Sequence, residues 1–383
     1  MILYSLNNVI IFFIMLFNRK YFLFFIMMFS VSAILFFLPE TGQDYYFYKG
    51  DYDSSYLDSI FPYFHSSFSL DAEPFYKFYT SFIKIVTDIP FNGFLSLNYI
   101  ICISLLFFIL KKIFNINSII VFFLFSLLTI VPTIFYFSPR SSISFVFAVF
   151  AFVFYVKEDT IKGVFFSFVS IGFHSQFIPI LFILYILNLY NKGILSKYSN
   201  KRKPIILFIF IISVILIVVL KYPIELFSLL SFFISSLPSA GMIEGKLHYF
   251  QIESQGIRVT SLLSIIIFPL IFIISLKHNY FDKLFHNNIL DKYKFNFILF
   301  LGFSLFFGMV VNILFINYSH IAGRISRFSD YTAFMILLPT LFLNIKMKNI
   351  LLPFILIILI LIVIIVYPTL YNFNLNIIDW NNI

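Results

Sequence analysis

From Pro204 to Leu220 the chain reads PIILFIFIISVILIVVL, without a single charge. Comparable apolar stretches of about 16–22 residues recur along the sequence, and a membrane span needs roughly 20 apolar residues. A soluble domain has no means of burying so many: 61% of the 383 residues are hydrophobic and 11% charged, with a mean hydropathy of +1.00. In lipid every backbone polar group must be satisfied within the protein, so successive runs of this length read as helices. The expected fold class is all-α. The whole chain, 1–383, reads as a single polytopic membrane domain of about 11–12 transmembrane helices.

Candidate spans lie at about 1–17, 21–39, 93–110, 116–137, 141–156, 163–173, 175–190, 204–221, 259–276, 295–316, 331–345 and 349–369. Residues 222–237 are apolar but read as interfacial or re-entrant. The loops separate by sign. Arg19 and Lys20, Lys111 and Lys112, Lys157 and Lys162, and the loops 191–203, 277–294 and 346–348 fall on one side and hold 17 of the 26 Lys and Arg residues. The opposite side holds 13 of the 17 acidic residues. Positive loops stay cytoplasmic, so the acidic side is expected outside the cytoplasm. This partition requires 163–190 to cross twice, as two short helices meeting near His174; a single helix would carry the basic 191–203 loop to the wrong face.

Several chemistries are excluded by absence of motif. Cys102 is the only cysteine, so neither an intrachain disulfide nor a cysteine-rich metal site can form. There is no HExxH, GxSxG or Walker loop. No metal and no cofactor are expected. The net charge of +9 is scattered among short loops, a topology signal rather than a nucleic-acid footprint.

Three external segments remain: 39–90, which includes an amphipathic helix at 74–88; 222–258; and the loop 317–331. On the helix, Phe75, Phe78, Tyr79, Phe82, Ile83 and Val86 recur at helical spacing, with Lys77, Thr80, Ser81 and Lys84 opposite. Glu73 stands just ahead of Pro74, a favoured first helical residue. The helix reads as interfacial, roofing a site.

The charges nearest the membrane concentrate the candidates. Arg140 interrupts a Phe-rich run, and an intramembrane arginine costs roughly 2.5–3.5 kcal/mol on insertion scales. Ser138 and Pro139 are a helix-start signal, which puts Arg140 in an already electropositive first turn. With Ser141 alongside, that turn suits a phosphate or diphosphate; the plainer alternative is an arginine reaching for lipid headgroups. Arg324 and Arg327 are spaced to share one face of a helical turn. They can join Arg140 in a diphosphate clamp or simply neutralise Asp330, and Arg258 is a fourth member. His174 in GFHSQF is expected level with Arg140, able to donate to a phosphate oxygen or accept a hydroxyl proton. Asp44 and Glu73 are alternative general bases, and Tyr45 and Tyr48 can stack on sugars or anchor the loop at the interface.

In order, TGQDYYFY (41–48), EPFYKFYTSFIKIV (73–86), SPRSSISFVFAVF (138–150), GFHSQF (172–177) and GRISRFSDY (323–331) resemble the EpsG/Wzy-type O-antigen and exopolysaccharide polymerases. Gly42, Asp44, Tyr48, Glu73, Arg140, His174, Ser175, Arg327 and Tyr331 fill the family's motif positions. The family often has Arg-Gln where this chain has Arg140-Ser141. The resemblance implies a GT-C-type glycosyltransferase of the bacterial inner membrane, working at the periplasmic face without metal or nucleotide sugar. Its donor and acceptor would be oligosaccharides carried on undecaprenyl diphosphate. A flippase and a chain-length regulator would be its partners, alongside membrane lipids. Arg140, Arg324, Arg327 and Arg258 would hold the diphosphate. Asp44, Glu73 and His174 would serve catalysis, and Tyr45, Tyr48, Ser141 and Tyr331 the substrate. An O-antigen ligase is the alternative within the class. A lipid-linked oligosaccharide flippase is the alternative outside it, and would place charge near the midplane within pseudo-symmetric halves.

Overall fold

The computed structural model describes residues 43–53, 73–119, 138–192, 259–315 and 319–344, with five positions between 28 and 36 and Phe122. Among the described residues the chain is helical and no strand forms; Phe114 and Phe285 make one isolated antiparallel bridge. The spans expected at 1–17, 204–221 and 349–369, the segment 222–237 and most of 21–39 and 116–137 lie outside the described residues.

Helix α1 is Gln43–Asp53, α2 Pro74–Thr87, α3 Phe91–Leu110, α4 Pro139–Val156, α5 Thr160–Phe173 and α6 Ile178–Asn191, with a 3-10 turn Ser175–Phe177 between the last two. Helix α7 runs through Val259–Leu262, a π turn Leu263–Ile267 and Phe268–Lys277. Helix α8 is Asp291–Leu314 and α9 Ser319–Ile325; α10 runs through Arg327–Thr332, a second π turn Ala333–Leu337 and Leu338–Asn344. Helices α3, α4 and α8 are long and apolar enough to cross a membrane. This is an all-α membrane protein.

Helix α4 is the hub. All but Arg140 and Phe147 of its 18 residues are buried. It packs most extensively on α5, then on α3, α6 and α8. Small residues permit the closest approach: a Cβ on Gly163 would lie 2.3 Å from the Tyr155 ring. That tyrosine lies over the α5 backbone and shares a hydrogen bond with Ser167. Ser144 and Ser170 each donate to the other's carbonyl at 2.8 Å, tying α4 to α5. Outward faces stay apolar, with Ile161, Phe165 and Phe168 of α5 and Phe182 of α6 exposed, as suits helices bounded by lipid.

The hairpin expected at His174 forms. His174 ends α5 in an extended conformation (φ −165°, ψ 123°), and α6 returns against α4 and α5. Those basic loops that lie among the described residues then meet at one end. Asn115 donates to the Lys283 and Phe285 carbonyls, Lys292 pairs with Glu158 at 2.6 Å, and Asn296 donates to the Val156 carbonyl. Arg140, at the other end of α4, belongs to the opposite end of the bundle.

Helix α2 turns its small hydroxyl residues toward the bundle. Thr80 and Ser81 are buried, whereas Phe78, Phe82 and Val86 are 51%, 51% and 63% exposed. Small hydroxyl side chains let α2 lie close against its neighbours, and Thr80 satisfies itself on the Tyr76 and Lys77 carbonyls. Phe78, Phe82 and Val86 are left to face outward, as an interfacial helix meeting acyl chains requires.

Single cysteines replacing Asp88, just after α2, and Lys292, at the start of α8, test the two-ended arrangement. Cys102 is buried and does not compete. An impermeant maleimide should label the two positions from opposite sides of the membrane. Labelling from one side would overturn the double crossing at His174.

Candidate active site

Glu73 stands at the centre of the end opposite the basic loops. Its backbone is left-handed (φ 41°, ψ 67°), a conformation that costs a non-glycine residue about 1–2 kcal/mol. Pro74 disfavours the right-handed region at the residue before it, so Glu73 does not simply extend α2 backward. It occupies the N-cap position, yet its carboxylate makes no capping hydrogen bond. Instead Oε2 accepts from Arg140 Nη1 at 2.9 Å, and Oε1 pairs with His174 Nδ1. Glu73 thus joins two residues that lie 67 and 101 positions away.

Packing holds α2 where this is possible. A Cβ on Gly172 would lie 2.3 Å from the Phe75 ring, so its absence lets α2 close onto α5 within two residues of His174. Phe75 then packs edge-on against Phe168 and Phe173. Beneath, Tyr79 donates to Asn98 at 3.1 Å, Asn98 to Ser142 at 2.8 Å, and Ser142 to the Pro139 carbonyl at 2.6 Å. This chain links α2, α3 and the first turn of α4.

Arg140 lies in that first turn, as its sequence position predicts, but its first anion is internal. The guanidinium sits 5.2 Å from the centre of the Tyr48 ring, and Nε is buried without a hydrogen-bond partner. Its side chain is 30% exposed, against 12% for Glu73 and 15% for His174. The group is therefore shielded yet open at Arg140. The Ser141 and Ser142 amides both donate to the Ser138 carbonyl. An anion here would meet the arginines and the helix dipole rather than free N–H groups.

Arg327 reaches the same turn from α10, donating to Ser141 Oγ at 3.0 Å. Ser141 also shares a 2.7 Å hydrogen bond with Ser138. Asp330 makes no direct ion pair with Arg327: it accepts from Ser326 at 2.8 Å and is 7% exposed. Among the described residues no carboxylate lies within ion-pairing distance of Arg327. Between Arg324 and Arg327 the chain bends once, at Ser326, which keeps right-handed helical angles (φ −77°, ψ −7°). Arg324 is exposed on α9.

The other candidates divide. Tyr45 is 1% exposed and donates to Asn92 Oδ1 at 2.7 Å, so its ring serves packing rather than an open sugar platform. Tyr48 is likewise buried, between Arg140 and Tyr76. Tyr331 packs edge-on against Phe145. Asp44 lies on α1, but its side chain and the whole of Arg258 are outside the described residues. An open depression of about 540 Å³ lined by Asn115, Phe285, His286 and Ile289 sits at the basic end, away from every one of these groups.

Three polar residues were not picked out from the sequence. Asn98 and Gln176 lie inside apolar runs, where any amide is expensive, and that cost was the available signal. Asp51 is one turn beyond Tyr48 on α1; burial raises its carboxyl above the ordinary value, partly offset by Lys77 and Arg140.

Glu73 itself lies outside the spans. Burial alone would raise its carboxyl, but the His174 hydrogen bond and the charges of His174 and Arg140 outweigh it and hold the group below its ordinary value. A carboxylate depressed in the folded state stabilises above its unfolded pKa and loses that contribution as pH falls through the folded value. The thermal midpoint in detergent should therefore fall as pH drops below about 4, and Glu73→Gln should flatten that limb while lowering the midpoint at neutral pH. Parallel curves for the two proteins would contradict the assignment.

Comparison with known proteins adds one match. The model of the EpsG family matches residues 4–381, nearly the whole chain. No curated protein and no solved structure matches the chain.

Proposed function

The chain belongs to the EpsG family, and from that premise we propose that it is a polysaccharide polymerase of the GT-C type. It joins oligosaccharide repeat units carried on undecaprenyl diphosphate, at the periplasmic face of the bacterial inner membrane, with about 11–12 spans in all. The observation that carries this reading is the bridge from Glu73 to Arg140 and His174, with Arg327 at the same helix turn.

The reaction asks for two things at one place. A base must take the proton of the acceptor hydroxyl as its oxygen attacks the anomeric carbon. Cations must offset charge on the lipid diphosphate as the bond from that carbon to its oxygen breaks. An ionised Glu73 accepts the Nδ1–H of His174, which fixes the ring tautomer and leaves Nε2 to receive the acceptor proton. Arg140 and Arg327 flank the leaving diphosphate, with the α4 dipole behind them. Glu73 limits the resting charge of the site to what Arg327 and the remaining donors of Arg140 present. Arg324 and Arg258 are proposed as further ligands of the diphosphate, and Asp44 as the alternative base. The donor is the growing chain and the acceptor a new lipid-linked unit, so a flippase must deliver units and a chain-length regulator sets the product size. The chemistry uses neither a metal nor a nucleotide sugar.

A transporter reading is disfavoured by position, because the charged cluster lies at one end of the bundle rather than midway along its helices. Incubating the purified protein with lipid-linked repeat units, with chelator and no nucleotide sugar, should yield a ladder spaced by one unit. Arg327→Ala and Arg140→Ala should each lower the rate by about 10²–10³, the usual loss for one transition-state donor. In complementation, long chains should vanish while single units are still transferred onward. Normal ladders from both variants would remove the clamp from the mechanism.

A further inference from the structure

We propose that Gln176 binds a sugar of the repeat unit and sets specificity for it, an inference that rests on the polymerase reading above. Gln176 lies in the 3-10 turn Ser175–Phe177, two residues after His174. Its Nε2 and Oε1 are both buried, and neither has a hydrogen-bond partner. The turn is firmly held: Phe177 is fully buried against Phe145 of α4 and Phe328 of α10. It packs against α4, which carries Arg140, and against α9, which carries Arg324. The turn that carries the amide is thus held against the two helices that bear Arg140 and Arg324.

An unpaired buried polar group costs about 1–3 kcal/mol, and native proteins satisfy nearly all of theirs. Gln176 carries two such groups at one position. A hydrophobic residue would pack there without that penalty, so the amide points to a ligand that restores both bonds. Its chemistry selects the ligand. The carbonyl needs a donor and the NH2 group an acceptor. Diphosphate oxygens only accept, and would leave Oε1 orphaned. Neighbouring hydroxyls of a sugar ring both donate and accept, so one hydroxyl can donate to Oε1 while the next accepts from Nε2. The turn's place beside His174 assigns this ring to the reacting end of the donor or the acceptor.

The test uses the full-length protein in detergent, with lipid-linked repeat units extracted from a host lacking this chain. A Gln176→Leu protein removes both orphaned atoms, and Gln176→Glu keeps the shape but loses the donor. The KM for the lipid-linked unit should rise roughly tenfold in both, the size of one lost hydrogen-bonded contact, with kcat within about twofold. That split marks lost binding that is uniform along the reaction path. The thermal midpoint of Gln176→Leu should stay level or rise, since replacing unsatisfied polar atoms by apolar ones is neutral or stabilising. A lowered midpoint with unchanged KM would make the amide a structural group satisfied by buried water, and would overturn the proposal. Unchanged KM in both variants would overturn it equally. If the unsubstituted protein makes no ladder, the polymerase reading fails first, and with it the basis for this one.

Discussion

Glu73 directs one carboxylate oxygen at Arg140 and the other at His174, and the organisation of this end of the protein follows from that division. Without the carboxylate, Arg140 would add an uncompensated cation to a helix N-terminus that already repels it. His174 would lose the partner that orients its ring. The carboxylate can reach both only because Glu73 adopts a left-handed backbone and declines to cap α2. An observed backbone outlier of this kind is a reasonable pointer to function, and here it coincides with the charged cluster.

The scaffold makes that geometry affordable in physical terms through close contact of small residues. Gly172 admits Phe75, Gly163 admits Tyr155, and paired serines clasp α4 to α5. Association of helices in lipid relies on such packing and on interhelical hydrogen bonds, because lipid tails are as apolar as the side chains. Polar residues inside the bundle are correspondingly shared. Asn98 and Ser142 serve Tyr79, α3 and the first turn of α4 together, and Asn296 joins α8 to the Val156 carbonyl and to Glu158. At the opposite end the described basic loops hold to one another, so the two ends differ in chemistry as well as in charge.

Much of this was legible in the sequence. The apolar runs predicted membrane helices, Pro74 and Pro139 marked helix starts, and the sign of the loops required the break at His174. What remained hidden depends on tertiary approach. The anion expected for Arg140 was a bound ligand, whereas the folded chain supplies Glu73, because no local pattern encodes a contact across 67 residues. The sequence pattern separated the two faces of α2 without saying which is buried; Thr80, satisfied on the backbone, goes inward with Ser81. Tyr45, which the sequence left open between sugar stacking and anchoring, is buried with its hydroxyl on Asn92. The family match over residues 4–381 agrees with the resemblance carried by the short motifs.

The central claim is that Glu73 acts through His174 as one unit. A double-mutant cycle on kcat/KM for ladder formation, using Glu73→Gln, His174→Gln and the combination, measures it directly. Each single variant should be slowed by at least about 10²-fold, and the combined variant should be scarcely slower than the worse single, as for residues that act together. Losses that simply multiply in the double variant would mean that the two residues contribute independently, and would contradict the account.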